Sequence, residues 1–136
     1  MKRFPNLALA AVLTMTVAAC QSGNGQPKAA SGGKSASLLA MEQVAIAAHK
    51  CWFASKDPAF RPYRMANELN SFSGQPRFLL VPANDYGGRP LLVVQARGNS
   101  PQVEVFGPLL GEPLGARIGA DVNRWTSGNG ACGKAA

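Results

Sequence analysis

The sequence predicts an α+β fold in which an N-terminal helix, an antiparallel meander of three or four strands and a C-terminal helix form one small domain. Apolar residues recur at three- and four-residue spacing over 37–54 and again over 112–126, which is typical of helices. Short apolar runs separated by turn-forming residues lie between these two stretches. With 136 residues, 46% of them hydrophobic, the chain has material for one globular domain. Both helices are expected on the same face of the sheet.

The first helix is predicted over 37–54. Ser37 is expected to cap its start, and Pro58 prevents its continuation. Its apolar stripe consists of Leu38, Met41, Val44, Ala45, Ala48, Cys51 and Trp52. The second helix is predicted over 112–126, with Glu112 and Pro113 in its first turn. Its apolar positions are Leu114, Ile118, Val122 and Trp125.

Four segments between the helices have strand character. Residues 77–81 and 90–96 are apolar runs joined by the turn-forming residues 84–88, which predicts a hairpin. Residues 102–106 alternate in polarity and follow a second turn at 98–101. Residues 61–67 are a weaker candidate, because Pro62 restricts them to a strand start or an edge.

The first twenty residues have the pattern of an export signal. Lys2 and Arg3 precede an apolar stretch over 7–19 that is short for a membrane-spanning helix. Val17-Ala18-Ala19-Cys20 resembles the lipobox of bacterial lipoproteins. The resemblance implies that residues 1–19 are removed and that Cys20 carries fatty acyl chains, such as palmitate, which hold the protein at a membrane. The alternative is an ordinary secretory signal followed by a chance cysteine.

The resemblance also suggests a location and a domain organisation. Residue 21 is Gln and residue 22 is Ser, so the aspartate that commonly retains such lipoproteins at the inner membrane is absent. In a bacterium with two membranes this favours the periplasmic face of the outer membrane. Residues 20–36 are rich in Gly, Ser and Ala and are expected to be a flexible tether. Residues 37–132 then form the domain, and 133–136 a disordered tail.

The two other cysteines, Cys51 and Cys132, are expected to form a disulfide. If Cys20 carries lipid, they are an even pair in an oxidising compartment. The alternatives are a reactive thiol or a metal-binding pair, but two isolated cysteines and the single His49 lack the clustered spacing of a zinc site. Neither a metal nor another cofactor is predicted.

No catalytic motif stands out in the sequence. The seven acidic residues are scattered singly, and no serine lies in a nucleophile elbow. Residues 128–135 nearly match a phosphate-binding loop, but Ala135 replaces the required Ser or Thr. Without Lys2 and Arg3 the chain keeps twelve basic and seven acidic residues, about +5 formally. In a cell envelope this charge favours anionic lipids or glycans over nucleic acid as a partner.

One cluster of basic and aromatic residues is a candidate ligand-binding surface. Such a mixture can stack on sugar rings and pair with phosphate or carboxylate. The alternative is that its aromatic residues belong to the core and its cations are simply solvated. We call Trp52, Lys56, Arg61, Tyr63 and Arg64 the basic–aromatic cluster. The function expected from the sequence is a membrane-tethered, non-catalytic interaction or structural module. The alternatives are a carrier of an anionic lipid or glycan, which a large apolar cavity would favour, and a small periplasmic enzyme.

Overall fold

A computed structural model describes residues 33–71 and 73–134, and its elements follow the predicted order. The predicted signal peptide, Cys20 and the tether up to residue 32 lie outside the described residues. The helices are α1 (Ala36–Ala48) and α2 (Gly115–Thr126). The strands are β1 (Tyr63–Glu68), β2 (Arg77–Pro82), β3 (Leu92–Ala96) and β4 (Val103–Phe106). The predicted α+β class is confirmed.

The start of α1 corrects one prediction from the sequence. Ser35, not Ser37, is the N-cap, and its hydroxyl accepts a hydrogen bond from the Leu38 amide at 3.2 Å. Ser37 is fully buried inside the first turn, where its hydroxyl donates to the carbonyl of Gly98 at 2.6 Å. The prediction was wrong because both serines precede the apolar stripe, and only the tertiary contact with the β3–β4 loop distinguishes them.

The first helical stretch contains two kinds of helix. After α1 the chain continues as a π-helix over His49–Ala54, in which the Ser55 amide donates to the carbonyl of Lys50 at 3.1 Å. Lys56 then adopts a left-handed conformation, with φ of 58°, and reverses the chain. This turn leads the chain away from the helix and towards β1.

The strands form an antiparallel sheet in the order β1-β2-β3-β4. The predicted hairpin is confirmed, since Phe78 pairs with Val94 and Leu80 with Leu92. The weaker candidate at 61–67 becomes β1, which lies at the edge of the sheet directly after Pro62. A proline is tolerated at that position because it needs no amide proton for the strand ladder.

The second helix begins three residues later than predicted. Residues Pro108–Gly111 form a 3₁₀ turn, and α2 starts at Gly115. Glu112 is extended, with ψ of 163°, since the ring of Pro113 disfavours the helical conformation in the preceding residue. Pro113 therefore lies ahead of α2 and not inside its first turn.

The core lies between the two helices and one face of the sheet. Helix α1 packs over β3, β4 and α2. Trp52 is central: its ring stacks on Phe60 at a centroid distance of 4.6 Å and contacts Trp125 at 5.0 Å. The predicted disulfide between Cys51 and Cys132 is present and joins the π-helix to the segment after α2.

Candidate functional site

The basic–aromatic cluster does not form one continuous surface. Trp52 is only 1% exposed and donates a hydrogen bond from Nε1 to Asp121 at 2.8 Å, so it belongs to the core. Tyr63 is half-buried on the sheet face that points to the core. Arg64 follows it in β1 and therefore points to the opposite face. The cations Lys56, Arg61 and Arg64 are exposed but have no exposed aromatic platform from this cluster beside them.

A chain of four alternating charges connects α2 to the turn before β1, and it consists of Asp57, Arg117, Asp121 and Arg124. Arg117 donates from Nη2 to Asp57 at 2.5 Å, and its side chain is 12% exposed. Asp121 accepts from Arg124 through Oδ1 and from Trp52 through Oδ2. The hydrogen bond from Arg117 holds the pKa of Asp57 below its usual value. Asp57 is thus held ionised in a structural ion pair and is not prepared to donate a proton.

A first cavity lies between the 3₁₀ turn, α2 and the starts of β1 and β3, and we call it the α2 cavity. Its volume is about 520 Å³, which is within the range of small-ligand sites. Its only charged lining residues are Glu112 and Arg117, and Arg117 is already paired with Asp57. The other lining residues are Ala59, Tyr63, Leu91, Pro108, Leu109, Pro113 and Leu114.

The second cavity is an open groove between α1, the π-helix and β1, and we call it the α1–β1 groove. Its volume is about 670 Å³. The apolar lining residues are Ala45, Ile46, Ala54, Met65 and Leu69, and the polar ones are Lys34, Glu42, His49, Lys50 and Asn67.

Ile46 is the most unusual residue of the groove because its side chain is apolar and yet 70% exposed. It lies outside the apolar stripe of the helix, and an apolar residue off that stripe is the only sequence signal that could have identified the groove. Lys34 and Glu42 form a salt bridge at 2.7 Å and neutralise each other, whereas Lys50 and His49 are exposed. The groove therefore has an apolar floor and a basic rim.

One side of the groove is the open edge of the sheet. The Ala83 amide donates to the carbonyl of Pro62 at 2.8 Å, which makes this the first hydrogen-bonded pair between the first two strands. Because such pairs alternate in antiparallel strands, the backbone groups of Arg64 and Ala66 point towards β2. Those of Met65 and Asn67 point away from it, and no strand in the described parts of the chain pairs with them.

Comparison of the chain with protein-family models, with curated proteins and with solved structures finds no match. Within residues 33–71 and 73–134, no three His, Cys, Asp or Glu side chains lie close enough together to hold a metal ion. None of the helices in these ranges has the length and apolar character that crossing a membrane requires. The function must therefore be inferred from the α2 cavity, the α1–β1 groove and the exposed charges.

Proposed function

We propose that this chain is a lipid-anchored module of a bacterial cell envelope, which binds a protein partner through the α1–β1 groove and catalyses no reaction. The observation that carries the proposal is the groove itself, in which an exposed isoleucine and a basic rim lie beside an open strand edge. The anchoring part is supported by the resemblance of residues 17–20 to a lipobox. If residues 20–36 form the tether that their sequence predicts, the groove would be accessible to a partner near the membrane.

A protein fits this groove better than a glycan or a small metabolite. Sugar recognition commonly uses exposed aromatic rings, and none of the described residues that line the groove is Phe, Trp or Tyr. A polypeptide can satisfy the outward backbone groups of Met65 and Asn67 and can cover Ile46 at the same time. Asp57 and Asp121 are both held by arginine, which supports a role without catalysis for the charged cluster.

The α2 cavity favours a second function, that of a carrier for a small apolar ligand. Seven of its nine lining residues are apolar or aromatic, and its volume suits a molecule of that kind. Among residues 33–71 and 73–134, no cation forms a salt bridge with Glu112 of this lining, and its negative charge disfavours an anionic lipid there. A neutral apolar dye would then bind to the protein, and changing Leu114 to Trp would reduce its binding by filling the cavity.

The partner can be sought with a photo-crosslinking amino acid, p-benzoylphenylalanine, placed at position 46 of the full chain in intact cells. We expect an adduct with one defined protein, because the exposed Ile46 side chain lies at the groove. The same amino acid at Tyr86, a 60% exposed aromatic position in the β2–β3 turn, is the matched control and should not form this adduct. Lys50→Glu should weaken the adduct at 46, since it reverses the charge of the groove rim.

Two outcomes would contradict the proposed function. One is an equal yield of adducts at positions 46 and 86, which would indicate collision and not docking. The other is a crosslink from position 46 to residues 21–32 of the same chain, which would mean that the chain covers its own groove. The proposal is supported by an adduct that forms at position 46, does not form at position 86 and is weaker in Lys50→Glu.

A further inference from the structure

We infer that the partner enters the α1–β1 groove as an extended strand, pairs with β1 and alternates apolar with acidic residues. This inference rests on the proposed function and specifies the chemistry of the segment that the groove binds. It is carried by the backbone groups at the sheet edge and by the residues on the two faces of β1.

Strand pairing follows from the direction of the backbone groups of β1. The N–H and C=O groups of Met65 and Asn67 point away from β2, and the side chains of both residues line the groove. An extended segment in the groove can therefore exchange hydrogen bonds with them, as a further antiparallel or parallel strand of the sheet. Strand addition gives affinity from main-chain hydrogen bonds, whereas side-chain contacts on alternate residues give selectivity.

The opposite edge of the sheet is a poorer template. Strand β4 has only four residues, and Pro101 and Pro108 lie close to its two ends. Proline and short length both discourage strand addition. Strand β1 has six residues, and its neighbouring Pro62 is already engaged through its carbonyl with Ala83. The edge beside α1 is thus the longer and less obstructed of the two.

Side chains of the added strand would alternate between two different surroundings. Those that point into the groove would contact Ala45, Ile46 and Met65, which are apolar. Those on the other face would lie beside Arg64 and Glu68 of β1. Glu68 is already paired with Arg77 at 2.5 Å, whereas Arg64 is exposed and forms no salt bridge with any described residue.

Arg64 therefore leaves one positive charge that an added strand can neutralise. If the added strand is antiparallel, the position directly opposite Arg64 forms a non-hydrogen-bonded pair, in which facing side chains lie closest together. An aspartate or glutamate there is favoured, because its charge is opposite to that of the exposed Arg64. The outcome is a recognition pattern of alternating apolar and acidic residues.

The pattern can be tested with three synthetic nonapeptides in which valine alternates with aspartate, asparagine or lysine. Binding to the domain is measured by fluorescence anisotropy at low ionic strength. We expect the aspartate peptide to bind about tenfold more tightly than the lysine peptide, which corresponds to about 1.4 kcal/mol. The asparagine peptide should lie between them.

Backbone pairing is tested by N-methylation of the aspartate peptide at alternate residues. Methylating the amides that face β1 should abolish binding, whereas methylating the other set should change it less than threefold. Equal effects of the two sets would overturn strand addition, because a side-chain-only interface does not distinguish them.

Arg64→Glu tests the charge preference. It should reverse the order of the aspartate and lysine peptides, whereas Arg97→Glu, which reverses an exposed arginine that follows β3 and pairs with Glu104, should leave the order unchanged. An unchanged order in Arg64→Glu would overturn the acidic pattern. If the crosslink at position 46 forms but the peptides show no such preference, this inference fails while the proposed function stands. If that crosslink fails as well, both fail.

Discussion

Asp57 combines two local roles in one carboxylate. Its Oδ1 accepts a hydrogen bond from the Ala59 amide at 3.0 Å and caps the 3₁₀ turn Pro58–Phe60, while its Oδ2 accepts from Arg117. The Arg117 guanidinium also lies over the ring of Phe60 at 5.3 Å. Asp57 and Arg117 together thus attach α2 to the chain that leads into β1.

Asp57→Asn should destabilise the domain at neutral pH by about 1–3 kcal/mol, because the buried charged hydrogen bond is weakened while asparagine keeps the cap. The pKa of Asp57 is lowered in the folded state, so its contribution is present above the ordinary aspartate pKa of about 3.9. It is lost as the pH falls through the lower folded value. Urea denaturation should therefore show a difference in the free energy of unfolding between wild type and Asp57→Asn at pH 7, and this difference should become smaller towards pH 3.

The matched control for this prediction is Asp85→Asn, which changes an exposed aspartate in the β2–β3 turn. It should have little effect at either pH. A loss of unfolding free energy in Asp57→Asn that is equally large at pH 3 and pH 7 would show that the stabilisation does not depend on the charge of the Asp57 carboxylate.

At the level of elements, the Cys51–Cys132 disulfide closes a loop with a sequence separation of 81 residues. The described residues after α2, up to 134, form no further helix or strand. The carbonyl of Ala131 in this segment accepts hydrogen bonds from Arg124 at 2.8 Å and from Trp125 at 3.0 Å. The bridge and these bonds fold the C-terminal segment back onto α2. They also fix the π-helix that contains Cys51 relative to α2.

Cys132→Ala should lower the free energy of unfolding by about 4–5 kcal/mol, the loop-closure value for a loop of this length. Cys132 lies near the surface and Cys51 is buried, so changing Cys132 removes the crosslink with little change to the core. Denaturation with and without a reductant checks the prediction. Reduced wild type should resemble Cys132→Ala, and equal stability of oxidised wild type and this variant would contradict the proposed contribution.

The elements also show why the sequence predicted some boundaries and not others. The hairpin at 77–81 and 90–96 could be predicted because its apolar residues must face one core, and its turn residues leave a single register. The start of α2 could not be predicted, because a proline such as Pro113 fits the first turn of a helix and the position just before a helix equally well. The π-helix could not be predicted from the sequence, because its residues continue the apolar stripe of an α-helix as far as Trp52.

At the level of the whole molecule, the proposed membrane location of the domain depends on Cys20. Cys20→Ala should abolish incorporation of an alkyne-labelled palmitate and leave the chain at its precursor mass, because the lipid acceptor is gone. Cys132→Ala should keep the label, since that cysteine lies at the other end of the sequence. Labelling of the Cys20→Ala protein would mean that the lipobox resemblance is misleading.

The candidate site could be predicted only in part. The exposed cations of the basic–aromatic cluster are present, whereas Trp52, which also belongs to the predicted apolar stripe of the first helix, is buried. Burial depends on which face of a helix packs against the sheet. The residues of the cluster lie within the thirteen positions 52–64, but their side chains point in different directions. The α1–β1 groove combines Ile46 with Met65, which are far apart in the sequence and meet only in the fold.

Local periodicity and cysteine number, which are properties of the chain alone, predicted the fold class and the pairing of Cys51 with Cys132, whereas the strand order was decided by the tertiary structure. The sequence also supports the lipid-anchor prediction, since a processing signal is recognised as a linear motif. Tertiary structure alone decided that Ser37 binds the β3–β4 loop, that Asp57 meets Arg117 and that β1 leaves an open edge beside Ile46. Each of these depends on distances between residues remote in sequence, which only the packing of helices on the sheet establishes.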